Sequence, residues 1–217
     1  TKEWYITSMN VTFIDKMGSD STIVNAARVS FNKEVPRSQV GLGGKDEKLI
    51  KYLAEHEHWS PFAHGSLQFR IKAPIFVARQ LVKHQVGLVW NEVSRRYVDE
   101  EPEFYVPFMW RKRPPKSIKQ GSSEEEVEYD ITKYIKIAKK LYDKMLKEDI
   151  APEMARMVLP QNMMTEWYWS GTLYAFARVC NLRLKPDTQS ETRDVVKHIE
   201  HVMKDQFPIC TKYLLDE

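Results

Sequence analysis

Residues 66–72, Ser-Leu-Gln-Phe-Arg-Ile-Lys, alternate polar with apolar over their full length, the period-two pattern of a strand with one buried face. Pro74 ends this strand and suits the first turn of a following helix, where its fixed φ and missing N–H cost nothing. Numbered helically from Ile75, the residues Arg79, Gln80, Lys83 and His84 share a face, with Phe76, Leu81 and Val82 supplying apolar contacts elsewhere. Upstream, residues 21–31 predict a short helix capped by Asp20 or Ser21 and buried along Ile23, Ala26 and Ala27. Residues 32–45 are polar and broken by Pro36 and Gly41-Leu42-Gly43-Gly44, which predicts a loop, and residues 46–57 resume a helical pattern. A further helix is expected from residue 125 or 130 to residue 148. Residues 163–180 are apolar almost all round (Trp167, Tyr168, Trp169, Leu173, Phe176, Val179), which predicts a central helix buried on most sides. Thr188-Gln189-Ser190-Glu191 fits a capping box ahead of the stripe Val195, Val196, Ile199, Val202 and Met203.

The chain has 217 residues and 42% hydrophobic content, so one compact domain over residues 1–217 is expected. Its 33 basic and 30 acidic residues leave a charge of +3, too mild to demand a nucleic acid or an anionic membrane surface as partner. Residues 111–129 change character, from Arg-Lys-Arg-Pro-Pro-Lys to Gly121-Ser122-Ser123 and then Glu124-Glu125-Glu126, and read as a surface insertion. The basic run Arg111–Lys119 offers nucleic-acid binding as the rival function, against which stands the acidic run that follows it. Cys180 and Cys210 lack Cys-x-x-Cys spacing and have no neighbouring His or cationic pair, so neither a disulfide framework, a zinc ribbon nor a catalytic thiolate is expected. No apolar run is long enough to cross a bilayer and no signal-peptide pattern opens the chain, which predicts a cytoplasmic protein with no membrane partner.

Four of the six histidines, His56, His58, His64 and His84, lie within one third of the chain, but their spacing matches no standard zinc pattern and no metal site is expected. The glycine run is not a Walker loop, since Gln39 stands at the first glycine position and Asp46 follows Lys45. Residues 79–97 are the densest chemistry: Arg-Gln-Leu-Val-Lys-His-Gln-Val-Gly-Leu-Val-Trp-Asn-Glu-Val-Ser-Arg-Arg-Tyr crowds cationic, amide, imidazole and carboxylate groups together. A nitrogen-rich face suits an anion, and the same composition also suits an ordinary solvated helix face.

Lys83-His84-Gln85 with Asn91-Glu92-Val93-Ser94-Arg95-Arg96-Tyr97 resembles the Arg-His-Arg…Asn-Glu-x-Ser-x-Arg motif of the flavin-dependent thymidylate synthases. Further blocks are similar to that family, in the family's order: residues 26–31 (Ala-Ala-Arg-Val-Ser-Phe), 58–64 (His-Trp-Ser-Pro-Phe-Ala-His), 73–80 (Ala-Pro-Ile-Phe-Val-Ala-Arg-Gln), 155–160 (Ala-Arg-Met-Val-Leu-Pro) and 181–183 (Asn-Leu-Arg). Lys83 and Gln85 stand where the family usually has arginines. The interval from His84 to Asn91 is one residue longer than usual, and Leu88 and Val89 occupy the neighbourhood of the motif's first serine. Lysine keeps the charge but loses the planar fork that grips a phosphate through two bonds, and glutamine keeps only donor and acceptor capacity.

The resemblance implies an α+β fold, a helix-rich single domain around an antiparallel sheet, assembled as a homotetramer with sites shared between subunits. It implies FAD, held without the Gly-x-Gly-x-x-Gly fingerprint that is absent here. The matching flavin positions are His58, Ser60, Lys83, His84, Gln85 and Glu92, with Thr172, Tyr174 and Arg178 as further contacts, Arg178 replacing a family asparagine. The implied substrate is deoxyuridine monophosphate (dUMP), with Gln80, Lys83, Glu92, Val93, Ser94, Arg95, Arg96, Arg156 and Arg183 at its binding positions. Arginine forks and backbone N–H groups around Val93 and Ser94 would hold phosphate. Arg183 is the implied catalytic residue, facing the uracil and favouring its ionised form so that C5 attacks the one-carbon unit. Ser94 reads as a phosphate-side contact, since no Gly-x-Ser-x-Gly elbow surrounds it. The implied reaction transfers methylene from 5,10-methylenetetrahydrofolate to dUMP, with hydride from reduced FAD that NADPH regenerates. A relative that has lost flavin through the changes at Lys83 and Gln85 is the remaining alternative.

Overall fold

A computed structural model of the chain describes residues 4–34, 43–96, 101–116 and 120–216. In chain order its elements are β1 (Tyr5–Ile6), β2 (Asn10–Met17), α1 (Asp20–Arg28), α2 (Gly44–Glu55), β3 (Ser66–Pro74), α3 (Ile75–Leu81), β4 (Leu88–Glu92), β5 (Phe104–Tyr105), β6 (Trp110–Arg111), β7 (Glu126–Val127), α4 (Thr132–Lys147), α5 (Pro152–Ala155), β8 (Met164–Thr172), α6 (Leu173–Arg183), α7 (Ser190–Gln206) and α8 (Pro208–Leu214). Short 3-10 turns at Val29–Phe31, Ser60–His64 and Arg156–Val158 join them.

The alternation at residues 66–72 becomes β3, with Leu67, Phe69, Ile71 and Ala73 buried and the intervening residues facing out. β3 lies second in a four-stranded antiparallel sheet ordered β2-β3-β8-β4. One face carries the core, where Phe69 and Trp169 both pack edge-on against Phe176 of α6 at ring separations of 5.1 and 5.3 Å. The other face holds Gln68, Arg70, Tyr168, Ser170, Val89 and Asn91, of which Arg70 donates to Glu166 at 2.6 Å. The fold is therefore α+β, helices gathered on one side of an antiparallel sheet.

The expectation of one buried helix over residues 163–180 is wrong in its first half. Residues 164–172 form β8, with Trp167 and Trp169 buried and Glu166, Tyr168 and Ser170 on the other face, and the helix begins only at Leu173. Apolar runs fit a buried strand or a buried helix equally, and the aromatic-rich half takes the extended form, where wide side chains pack on the pleat. Gly171 makes the junction possible: a Cβ there would stand 2.4 Å from the Gly87 carbonyl oxygen and from a Leu88 methyl. Gly87 itself, at φ +78°, turns the chain into β4, and its carbonyl accepts from Thr172 N–H at 3.0 Å.

Other local expectations shift by a few residues. The N-cap of α1 is Ser19 rather than Asp20 or Ser21, because the Asp20 carboxylate instead accepts from the Ile209 and Cys210 N–H groups at the start of α8, at 3.1 and 2.9 Å. α2 starts at Gly44, inside the expected loop, of which residues 35–42 lie outside the described residues. The helix expected to end at residue 148 is α4. α7 begins at Ser190 behind an N-cap of Gln189, so the capping box does not form: Thr188 Oγ1 donates to the Leu182 carbonyl, and Glu191 is taken by Arg111. α3 ends at Leu81, and Lys83 and His84 therefore follow it in a turn instead of sharing its face with Arg79 and Gln80.

The described residues between 111 and 129 are mostly exposed. β6 and β7 pair there as a small hairpin, Trp110 opposite Val127 and Arg111 opposite Glu126. The basic residues Arg111 and Lys112 form ion pairs with Glu191 and Glu125, and residues 117–119 lie outside the described residues.

Candidate active site

Arg183 occupies the last turn of α6, where a cation complements the carbonyl end of the helix. Its Nε donates to His84 Nε2 at 3.0 Å, and a terminal nitrogen donates to the Gln80 carbonyl at 3.3 Å, one of the carbonyls that α3 leaves unpaired at its C-terminus. Both acceptors are uncharged, so neither neutralises the guanidinium. Burial first, then the Arg183 and Arg178 charges, push the His84 imidazole from its ordinary 6.5 down to about 4, which keeps it neutral. With Nε2 accepting, the ring proton resides on Nδ1.

Gln80 also donates through Nε2 to Gln189 Oε1 at 2.6 Å, tying α3 to the start of α7. Gln80, Arg183 and Gln189 line a groove of about 440 Å³ together with Gln120, Gly121, Leu182, Lys185, Asp187 and Thr188. That size lies within the roughly 300–1,000 Å³ of small-molecule sites. Gln189, Asp187 and Lys185 are lining residues that sequence reasoning missed; their position a few residues after Arg183 was the available signal, but the capping-box reading absorbed Gln189. For Gln120 the sequence carries no local signal.

A second cavity, about 210 Å³, collects His58, Trp59, Tyr174 and Arg178 with Glu57, Asn181 and the C-terminal residues 213–216. Trp59 and Tyr174 rings stand 6.2 Å apart, and Tyr52 packs edge-on against His58 at 5.9 Å. Aromatic faces beside a guanidinium suit a planar heteroaromatic group that carries phosphate. Thr172, also named as a flavin contact, uses its Oγ1 to cap α6 by accepting from Ala175 N–H at 3.1 Å. Ser60, Lys83 and Gln85 are exposed.

The remaining candidates are placed elsewhere. From Leu88 to Glu92, β4 runs about 13 Å away from the Gly87 turn, at roughly 3.3 Å per residue. Glu92 accepts from Trp90 Nε1 at 3.0 Å and Thr165 Oγ1 at 2.7 Å, and the Val93 N–H is spent on the Glu166 carbonyl at 2.9 Å, so the backbone donor expected there is already used. Ser94 Oγ accepts from Arg96 N and Nε at 3.4 and 3.2 Å, and Arg95 follows in the same turn. Arg156, exposed on the turn after α5, donates Nε to the Glu153 carbonyl at 3.3 Å. One chain thus brings Gln80, His84 and Arg183 together, and His58, Tyr174 and Arg178, while Glu92–Arg96, on and just beyond β4, line neither cavity. Among the described residues no three His, Cys, Asp or Glu side chains cluster as a metal site would need, and no helix is long and apolar enough to cross a membrane.

Comparison with known proteins fits this geometry. The family described as "Thymidylate synthase complementing protein" matches residues 12–209. A flavin-dependent thymidylate synthase of Thermus thermophilus is 39% identical over 92% of this chain and 73% of its own length. That of Thermosipho africanus is 37% identical over 90% and 86%. The crystal structure of the UMP/dUMP methylase PolB from Streptomyces cacaoi, bound with 5-Br dUMP, superposes with a TM-score of 0.84 at 28% identity, covering 96% of this chain and 95% of that one. Matching over nearly the whole chain, from β2 to the start of α8, makes the protein an enzyme of the flavin-dependent thymidylate synthase family.

Proposed function

We propose that the protein methylates dUMP to dTMP, taking the one-carbon unit from 5,10-methylenetetrahydrofolate, with FAD as cofactor and NADPH as the source of reducing equivalents. The observation that carries this reading is Arg183 at the groove, its charge balanced by neither of its acceptors and held by a neutral His84 and a helix-end carbonyl. A guanidinium so fixed favours negative charge that develops on a uracil ring, and C5 of the ionised base becomes the nucleophile. The chain's own thiols take no part: Cys180 and Cys210 are fully buried, and burial pushes both well above the ordinary thiol range.

His58, Tyr174 and Arg178 have the chemistry to hold the flavin, the rings by stacking and Arg178 by pairing with phosphate. A flavin held by these residues would supply, in its reduced form, the hydride that completes the methyl group. The cavity of about 210 Å³ is smaller than a site enclosing even a drug-sized ligand, and Glu92–Arg96 line neither it nor the groove at Arg183. Both facts support a site completed by a second copy of the chain within a homotetramer, where Lys83, Ser94, Arg95, Arg96 and Arg156 of one subunit serve the groove of another. The similarity to PolB, whose structure holds 5-Br dUMP, supports a pyrimidine nucleotide as substrate.

The test is formation of dTMP from dUMP by purified protein supplied with FAD, NADPH and 5,10-methylenetetrahydrofolate, each omitted in turn. Product that persists without the folate, or none with the full set, removes the reading. Mixing the Arg183→Ala and Arg96→Ala proteins should raise activity above that of either alone if sites are shared, and a stable monomer in sedimentation should not occur.

A further inference from the structure

The β6–β7 hairpin reaches the nucleotide groove from a part of the sequence remote from it. A terminal nitrogen of Arg111 donates to both Glu191 oxygens, at 2.7 and 2.8 Å, and its Nε donates to Ser122 Oγ at 2.8 Å. The Glu191 side chain is only 6% exposed and belongs to the first turn of α7. Beyond it, Gln120 Nε2 donates to the Asp187 carboxylate, and a Cβ on Gly121 would stand 3.4 Å from the Asp187 carbonyl oxygen. Gln120 and Gly121 thereby border the same groove as Gln80 and Arg183.

We propose that this hairpin is a working wall of the nucleotide site: Gln120 borders the bound pyrimidine nucleotide, and Arg111 is a positioning residue that fixes the Gln189–Gln80 pair beside Arg183. The inference rests on the reading of the groove as the dUMP site. One N–H of the Gln120 amide is spent on Asp187, which leaves its second N–H and its carbonyl oxygen for a ligand. The bond it gives Asp187 also engages a carboxylate that would otherwise face an anionic substrate unrestrained. Arg111 acts one step further out. By pairing a buried carboxylate at the start of α7, it holds the turn from which Gln189 reaches Gln80 at 2.6 Å, and Gln80 in turn receives Arg183.

Titration of dUMP onto the FAD-loaded protein, with the flavin spectrum and the thermal midpoint recorded in parallel, tests this with two variants. Gln120→Ala changes an exposed side chain, so flavin content and midpoint should hold while dUMP affinity falls roughly three- to tenfold, as for loss of one hydrogen bond. Arg111→Lys keeps a charge opposite Glu191 but loses the Nε bond to Ser122, and should also weaken dUMP binding with flavin retained. Wild-type affinity in Gln120→Ala overturns the wall. A lowered midpoint with wild-type affinity in Arg111→Lys makes the ion pair a fold contact only and overturns its positioning role. Failure of the wild-type protein to bind dUMP would instead remove the dUMP reading of the groove, and the inference with it.

Discussion

Arg183 donates through Nε to Nε2 of His84 at 3.0 Å, which fixes the imidazole as the neutral tautomer protonated on Nδ1. A protonated ring would face the guanidinium with a second positive charge. The pair is therefore stable only while the histidine stays neutral, and this ties the geometry of the groove to pH.

Ring titration of His84 by NMR should show a midpoint near 4 instead of 6.5. Arg183→Ala should raise it only part of the way, since burial is the larger cause. The unfolded chain protonates this histidine near its ordinary value, so below it the unfolded state binds more protons than the folded one. The contribution to stability is complete above pH 6.5 and is lost as pH falls toward 4, visible as a falling thermal midpoint across that window. A native titration at 6.5 would show that neither the burial of the ring nor the Arg183 contact persists in solution.

Arg183 and Arg156 should separate under steady-state kinetics. Arg183→Ala is expected to lower turnover by about 10²–10³-fold with a smaller change in dUMP affinity, as when one preorganised charge stabiliser is removed. Arg156→Ala, on an exposed turn, should raise the dUMP requirement through loss of a charged hydrogen bond worth about 1.5–3 kcal/mol and leave turnover near normal. If Arg183→Ala loses affinity alone, it positions the nucleotide and the ionising role belongs to another group.

Gly171→Ala should destabilise the fold by about 1–3 kcal/mol, the cost of overpacking, because its Cβ would collide with the Gly87 carbonyl and Leu88. Denaturant titration gives the number. An unchanged midpoint would mean that the β4–β8 junction opens freely.

Native protein should resist thiol-specific reagents at both Cys180 and Cys210 until unfolded, as burial and raised pKa require. The double alanine variant should still form dTMP, at a stability cost from the small cavities left behind. Complete loss of activity in a folded, flavin-loaded double variant would demand a thiol in the mechanism.

Period-two alternation was enough to specify β3, because a strand with one buried face leaves its mark on every residue. The family blocks were equally legible, since they are short runs whose identity survives without knowledge of their contacts. Residues 164–172 were not legible: with Trp167, Tyr168 and Trp169 in sequence, local composition is compatible with two periods, and only pairing with β3 and β4 selects the extended one. Glu191 shows the same limit. Its spacing from Thr188 satisfies a capping box, yet an arginine 80 residues away offers two charged hydrogen bonds and takes it. Sequence by itself determined the chemistry available, an arginine after Asn-Leu, an imidazole among cations, a glutamine beside an arginine at positions 79 and 80. Tertiary structure alone decided which of these meet, because the contact of Arg183 with His84 spans 99 residues and exists only once α3, the Gly87 turn and α6 are packed together.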